Sequence, residues 1–332
     1  MTSFISWFTS SILYGTVIMY GALGEMLTEK SGHLNLGVPG MMFLGGFAGF
    51  AGAFLYEKTA ADPNPFFMLM IPLICGFGAG ALGGLLYSFM TISLRANQNV
   101  TGLALTFFGV GVGSFGGVFV LASAGYKSFA KATLTSEIFT ANLNSVVQAG
   151  EFGELFLSYG FMTYAAIILA IVFHFVLKRT RTGLNLRAVG ESPATADAAG
   201  INITKYKYVS TTVGGGICGL GGMFYILVYC NGGWSTTNSI ESLGWLAVAL
   251  VIFATWKPLN AIWGSYLFAF LFWCYSYFPG LVGIKMENYT TDVVQMLPYL
   301  VTILVLVLAN FRKKKENQPP ASLGLTYFRE ER

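Results

Sequence analysis

The sequence predicts an all-α fold, a polytopic membrane helical bundle of about nine transmembrane helices with one short helix in a polar insert. Hydrophobic residues make up 55% of the 332 residues and charged residues 10%, whereas soluble domains carry roughly 25% charged residues. The mean hydropathy is +0.63. The polar insert, residues 178–205, separates two long apolar runs. We therefore expect a single transmembrane domain, residues 1–311, and a charged cytoplasmic tail, residues 312–332, that is predicted to be disordered.

Apolar runs of about 20 residues, the length that crosses the hydrocarbon of a bilayer, recur along the chain. Glycine clusters, such as those in residues 43–52 and 213–222, fall inside these runs. Because small residues let helices approach closely in lipid, the clusters predict tight helix contacts. The predicted spans centre on residues 5–27, 37–55, 66–92, 99–121, 157–177, 206–229, 241–255, 259–279 and 292–310.

The basic residues predict the orientation. With the N-terminus outside and nine crossings, every Lys and Arg except Lys58, Lys127, Lys131 and Lys285 falls in an inner loop or the inner tail. The opposite orientation would invert the positive-inside rule. The insert and the C-terminus are therefore predicted to be cytoplasmic. The net charge of +4 is what inner loops facing anionic lipid require, so it indicates no nucleic acid partner.

The insert contains the sequence features of a short helix. Ser192 can cap the first turn, Pro193 suits the first helical position, and Gly200 permits the left-handed backbone that ends a helix. The side chains between them are small, so such a helix has no bulky apolar face to bury against its own chain. A groove on a partner protein is the predicted place for it. An ordinary structured loop is the alternative.

A second polar region, residues 24–42, lies between the first two spans and includes His33 and Pro39. Two interpretations stay open, a tight polar turn at the inner surface and a broken or re-entrant helix. Broken helices at membrane depth line pathways, because only protein or a water-filled cavity satisfies their free backbone groups. We interpret His33 as a hydrogen-bonded or interfacial residue rather than a proton relay.

Amide, hydroxyl and aromatic side chains near the span ends are the candidates for contact with an uncharged polar solute. Helix capping and the aromatic belt at the membrane interface are the alternative roles of these residue types. The candidate pathway residues are Asn35, Asn99, Thr101, Trp234, Asn238 and Glu241.

The sequence indicates no metal site and no ATP site. The cysteines Cys75, Cys218, Cys230 and Cys274 lie within or at the ends of apolar runs, without metal-ligand spacing. The phosphate-binding pattern GxxxxGK followed by Ser or Thr does not occur. We expect this chain to bind no cofactor.

Four segments together resemble a known family: residues 24–42, 97–107, 183–201 and 244–268. They are similar to the transmembrane permease subunits of bacterial ABC importers in the branched-chain amino acid, ribose and nucleoside group. They look most like the shorter of the two permeases in nucleoside importers. The chain departs from that family at Pro39, where members commonly carry an acidic residue, and at His33, which replaces an aliphatic residue.

The resemblance implies that the short helix of the insert is the coupling helix, which docks on a cytoplasmic ATPase. ATP and magnesium are then used by that partner, a two-domain or paired ATPase subunit, and this chain is no enzyme. A second permease subunit in a heterodimer and a substrate-binding lipoprotein complete the implied complex in the bacterial plasma membrane. The residues that the resemblance assigns to the coupling helix and its surroundings are Arg187, Ser192, Pro193, Ala194, Ala196, Asp197, Ala198, Ala199 and Gly200.

The implied activity is nucleoside import by alternating access, and three alternatives remain. The same type of importer could carry ribose-like sugars or amino acids. An ATP-independent secondary transporter or channel would need a mid-span carboxylate, and Glu241 and Asp292 lie at span ends. An intramembrane enzyme would need a nucleophile and base within the spans, where His174 stands alone.

Overall fold

The computed structural model describes residues 2–142, 144, 150–235, 239–282, scattered positions between 293 and 307, and 318–327. Over these residues the chain is almost entirely helical, with two three-residue strands, β1 (Phe129–Lys131) and β2 (Gly233–Ser235). The helices are α1 (Thr2–Glu29), α2 (Val38–Thr59), α3 (Pro65–Ser88), α4 (Gln98–Ser123), α5 (Thr133–Thr140), α6 (Gly150–Phe156), α7 (Phe161–Arg179), α8 (Arg181–Glu191), α9 (Pro193–Ala198), α10 (Ile203–Phe224), α11 (Ile240–Phe253) and α12 (Pro258–Val282).

Local chemistry explains where several helices begin. The Asn97 side chain accepts a hydrogen bond from the Val100 amide at 3.1 Å, and the Asn202 side chain accepts one from the Lys205 amide at 2.9 Å. These side chains satisfy amides that have no partner inside a helix. Proline stands in the first turn of α2, α3 and α9, where the missing amide hydrogen costs nothing.

The predicted spans agree with the helices of the structure for the first eight runs. The ninth run, residues 292–310, lies largely outside the described residues. By length and composition, five helices in the described part of the chain can cross a membrane: α2, α3 with the π-helical turn Phe89–Ser93, α4, α7, and α10 with the π-helical turn Tyr225–Tyr229. Helix α11 has 14 residues, fewer than the roughly 20 that span the hydrocarbon upright. The structure is that of a helical membrane protein, and the number nine is not established.

Glycine brings the central helices into backbone contact. A Cβ added at Gly45 of α2 would lie 2.2 Å from the Gly219 Cα of α10. A Cβ at Gly80 of α3 would lie 2.3 Å from the Gly215 carbonyl oxygen. Since a methyl group needs well over 3 Å, only glycine permits these approaches. The tight contacts predicted from the glycine clusters are confirmed for α2, α3 and α10.

Turns between successive helices gather at two ends of the bundle. At one end lie helices α8 and α9, the turn after α1 and the start of α10. We call this end the insert end. At the other, the strand end, β1 pairs antiparallel with β2, with Ala130 opposite Trp234. The Ser136 hydroxyl of α5 donates to the Leu227 carbonyl there, at 2.9 Å.

Residues 318–327 pack on the insert end, and this corrects the disorder predicted for that part of the tail. The Ser322 amide donates to the Gly190 carbonyl at 3.0 Å, and the Gly324 amide donates to the Gly32 carbonyl at 3.2 Å. The Tyr327 hydroxyl donates to an Asp197 carboxylate oxygen at 3.1 Å. The disorder was predicted from local composition, which contains no information about hydrogen bonds to segments distant in the sequence.

Candidate functional site

The insert folds as two consecutive helices at the end of α7. Thr180 ends α7 and caps α8, since its hydroxyl oxygen accepts from the Gly183 amide at 3.1 Å. A Cβ at Gly183 would lie 2.1 Å from the Val176 carbonyl oxygen, and one at Gly190 would lie 2.3 Å from the Lys30 carbonyl oxygen. Helix α8 is therefore held closely against α7 at one end and against the turn after α1 at the other.

Helix α9 is the short helix that the sequence predicts. The Ser192 hydroxyl oxygen accepts from the Thr195 amide at 3.4 Å, and Pro193 follows at the first position. The Ile201 amide donates back to the Ala196 carbonyl at 3.0 Å. Gly200 has a φ of +78°, the left-handed conformation that ends a helix. The predicted cap, start and stop are confirmed.

One face of α9 is buried in this chain, and this is a correction. Ala196 is only 2% exposed, and Pro193 is buried as well. Both were assigned to the contact with a partner, on the argument that small side chains have nothing to bury against their own protein. Helix α9 packs on α8 and α10, and Pro193 lies in a cleft shared with residues 321–327 of the tail. Ala194, Ala198, Ala199 and Gly200 form the exposed face, and Arg187 is exposed on α8.

The turn between α1 and α2, residues 30–37, is tight and largely buried, and within residues 24–42 it joins the end of α1 to the start of α2 with no further helix between them. Asn35 organises it. The Asn35 amide and side-chain Nδ2 donate to the two carboxylate oxygens of Glu25, at 3.1 and 3.2 Å. Its Oδ1 accepts from the Gly37 amide at 2.9 Å. With both ends of its side chain engaged inside the protein, Asn35 has no free group to offer a solute in this conformation.

Sequence reasoning missed the two acids of α1 that support this end of the bundle. Glu25 and Glu29 are spaced four residues apart, which places them on one helix face, and both are buried. Glu29 accepts a hydrogen bond from the Trp256 indole nitrogen. The signal was available as two acids in an apolar run, where charge is costly unless it is partnered.

The turn and the insert are also coupled electrostatically. Burial lowers the pKa of Lys30, and the nearby Glu191 carboxylate of α8 opposes that shift. Together with the packing of Gly190 on Lys30, this places α8 directly beneath the turn after α1. A displacement of α8 and α9 would therefore also move the turn that joins α1 to α2.

The two candidates at the start of α4 face different surroundings. Thr101 is buried, 5% exposed, whereas Asn99 is exposed. The neighbouring Gly102 packs on the backbone of Leu36, where a Cβ would lie 2.7 Å from the Leu36 nitrogen. The start of α4 thus abuts the turn after α1.

The remaining candidates lie at the strand end or beyond the described part. Trp234 is 1% exposed, and its ring stacks on Phe50 with 5.5 Å between centroids. A Cβ at Gly117 would lie 2.4 Å from its indole nitrogen, so Trp234 is a packing residue between α2 and α4. Glu241 is half-buried in the first turn of α11. Asn238 lies outside the described residues. The five described candidates lie at different ends of the bundle: Asn35, Asn99 and Thr101 at the insert end, and Trp234 and Glu241 at the strand end.

Comparison with known proteins assigns a family. The family profile described as "Branched-chain amino acid transport system / permease component" matches residues 7–306. A putative glucose ABC transporter permease of Haloferax volcanii is 32% identical over 262 residues, 79% of this chain and 74% of that protein. No solved structure matches the chain.

Two further relatives carry names that refer to nucleosides. A nucleoside ABC transporter permease of Lactococcus lactis is 29% identical over 299 residues, 90% of each chain. A guanosine ABC transporter permease of Bacillus subtilis is 29% identical over 303 residues, 90% of this chain and 89% of that protein. The similarity extends across the whole bundle, including the insert.

Proposed function

Because the chain belongs to the family of permease components of branched-chain amino acid transport systems, we propose that it is the membrane subunit of an ATP-driven nucleoside importer. It lies in a bacterial plasma membrane, with its N-terminus outside and its C-terminus in the cytoplasm. The insert end is then the cytoplasmic end, where an ATPase can reach it. The positive-inside rule supports this orientation.

The observation that carries the proposal is the exposed face of α9. Ala198 and Ala199 present small, exposed side chains from a capped helix. The other face, with Ala196, is anchored in the chain. A short helix that is anchored on one side and bare on the other suits a groove in a partner. We assign that groove to the ATPase subunit.

We propose that movement passes from α9 to the spans through close backbone contacts. When ATP closes the paired ATPase subunits, α9 moves with them. Gly190 of α8 lies against Lys30, and Ser322 of the tail binds the Gly190 carbonyl, so the turn after α1 follows. Helices α1, α2 and α10 meet through glycine and can shift as packed units. Hydrolysis by the partner then resets the inward-facing state.

The proposed partners follow from what the chain lacks. It contains no phosphate-binding GxxxxGK motif, so ATP and magnesium are bound by the ATPase and not by this subunit. A second permease forms the other half of the pathway, and a lipid-anchored binding protein delivers the solute at the strand end. Of the pathway candidates, Asn99 and Glu241 keep accessible side chains, and we propose these two for solute contact.

The proposed solute is a nucleoside. Relatives named for nucleosides and for guanosine align over nine-tenths of the chain, whereas the relative named for glucose aligns over 79%. The glucose relative is nonetheless slightly higher in identity, so glucose and ribose-like sugars are the second candidate class.

The coupling role is tested by co-purification of the ATPase with the co-expressed complex. We expect Ala198→Arg to abolish co-purification and ATP-dependent uptake, because a long charged side chain would occupy the bare face of α9. The melting temperature of the isolated chain should not change, since Ala198 is exposed.

The matched control is Ala61→Arg, which adds the same side chain at an exposed alanine of the strand end. It should retain the ATPase. Retention of the ATPase by Ala198→Arg, with normal uptake, would contradict the assignment of α9.

A further inference from the structure

A polar cavity of about 540 Å³ opens at the insert end, behind α9. It is bounded by the turn after α1, by the segment joining α3 to α4, by the start of α10 and by residues 326 and 327 of the tail. A volume of this size is typical of small-molecule sites. The cavity is lined by Asp197 and Gly200 but by none of the exposed alanines of α9, so the docking role proposed for those alanines does not account for it.

Lys207 is the main charged group of the cavity. It lies one turn into α10, and the residue is only 5% exposed. Among the residues that the structure describes, its ammonium group makes no hydrogen bond or ion pair. A buried ammonium is costly unless an anion or several acceptors satisfy it. Here the cavity is the space from which an anion could do so.

His33 adds a second unpartnered polar group. It is 2% exposed and lines the same cavity. Its Nδ1 is buried and has no hydrogen-bond partner among the described residues. Burial lowers the pKa of His33, and the charge of Lys207 lowers it further. Both residues line the same cavity, so one ligand in it can contact both.

The start of α10 supplies backbone donors. Ile203 and Thr204 are its first two residues and line the cavity. Among the described residues, neither amide has an acceptor, since the Asn202 cap takes the amide of Lys205. Free amides at a helix N-terminus favour phosphate-like anions. The free amides, Lys207 and His33 are thus all suited to binding an oxyanion.

Asp197 is the one carboxylate among the residues that line the cavity in the described part of the chain. Its Oδ2 accepts from the Tyr327 hydroxyl at 3.1 Å, at the rim beside the tail. Arg95 also lines the cavity. The charges around the cavity therefore have a net positive sum.

We propose that this cavity is an oxyanion site that binds a phosphate group. Lys207 and the Ile203 and Thr204 amides hold the phosphate oxygens, and the N–H group of the neutral His33 ring donates to one of them. The phosphate belongs either to a free phosphorylated small molecule or to the headgroup of an anionic phospholipid. A bound phosphate would tie the start of α10, through Lys207 and the Ile203 and Thr204 amides, to His33 in the turn after α1.

The test is binding by the purified full-length chain. In one arm, inorganic phosphate and uridine monophosphate are titrated calorimetrically. In the other, the chain is reconstituted in vesicles of phosphatidylcholine with or without phosphatidylglycerol, and retained lipid is counted by native mass spectrometry. Binding in the first arm identifies a free phosphate source, and retained phosphatidylglycerol identifies a lipid source.

The decisive variant is Lys207→Met, which keeps the side-chain length and removes the charge. We expect it to weaken binding by about tenfold or more, the effect of losing one charge-assisted hydrogen bond. The matched control is Lys205→Met, two residues away on the exposed side of α10 and outside this cavity. It should bind like the natural chain.

His33→Phe provides a second variant in case Lys207→Met does not fold, as judged by its melting curve. We expect this variant to weaken phosphate binding several-fold, because phenylalanine lacks the nitrogens of the imidazole. Its ring fills a similar space, so the packing of the turn is largely kept. The proposal is overturned if the natural chain binds in neither arm. It is also overturned if the folded variants bind as tightly as the natural chain.

Discussion

At the scale of single residues, the turn after α1 depends on hydrogen bonds between buried polar groups. Glu25 is fully buried and accepts two hydrogen bonds from Asn35. Asn35 also holds the Gly37 amide at the start of α2. A buried acceptor that loses its donor costs about 1–3 kcal/mol, more than the bond itself contributes. Asn35 is therefore a structural residue of this turn.

Asn35→Leu should destabilise the chain by about 2 kcal/mol or more, because it leaves a Glu25 oxygen and the Gly37 amide without their side-chain partner. The measurement is thermal unfolding of the purified chain in detergent. Asn99→Leu is the matched control, an exposed asparagine only a short distance away on α4. Equal melting temperatures for the two variants would contradict the structural role of Asn35.

At the scale of elements, the close approach of α3 to α10 depends on some glycines of α3 and not on others. A Cβ at Gly80 would lie 2.3 Å from the Gly215 carbonyl oxygen, whereas a Cβ at Gly78 meets no atom within 4 Å. Both residues belong to α3 and both would keep helical backbone angles. The difference between them is therefore the packing alone.

Gly80→Ala should destabilise the bundle by about 1–3 kcal/mol, the usual cost of overpacking, since backbone must shift to admit the methyl group. Gly78→Ala should be neutral or slightly stabilising, because alanine favours the helix. Thermal unfolding of the two variants in the same detergent gives the comparison. A destabilised Gly78→Ala beside an unaffected Gly80→Ala would show that the contact between α3 and α10 is wrong.

The tail is the second element whose role can be tested. Residues 318–327 bind the Gly190 and Gly32 carbonyls and Asp197. Ending the chain after residue 317 should loosen the insert, so trypsin should cut faster after the exposed Arg187. The readout is the rate of appearance of the fragment that ends there.

Ending the chain after residue 327 is the control, because it leaves these hydrogen bonds in place. If both truncated chains are cut at the rate of the full chain, the tail does not support the insert.

At the scale of the whole molecule, the positions of the first eight apolar helices could be predicted because crossing a bilayer imposes length and apolarity on each run separately. Helix α9 could be predicted because Ser192, Pro193 and Gly200 act within a few residues of one another. Such local rules do not include contacts between distant segments. The burial of Ala196, the docking of Ser322 and the cavity around Lys207 all arise from distant contacts.

The same reason explains why the pathway candidates were predicted less well. Residue type and position near a span end select Asn35 and Trp234, but both are engaged inside the chain. Whether an amide or an indole faces a solute depends on which neighbours surround it. The pathway that we propose also requires a second permease chain, which one sequence does not describe.

The most direct test of the central claim is solute uptake by proteoliposomes that contain the complete complex and its binding protein. We predict that labelled guanosine accumulates against its gradient only when hydrolysable ATP is present on the side of the insert end. Excess unlabelled uridine should compete, and glucose and ribose should not. Guanosine entry without ATP would contradict the importer, and accumulation of glucose or ribose in place of guanosine would contradict the solute.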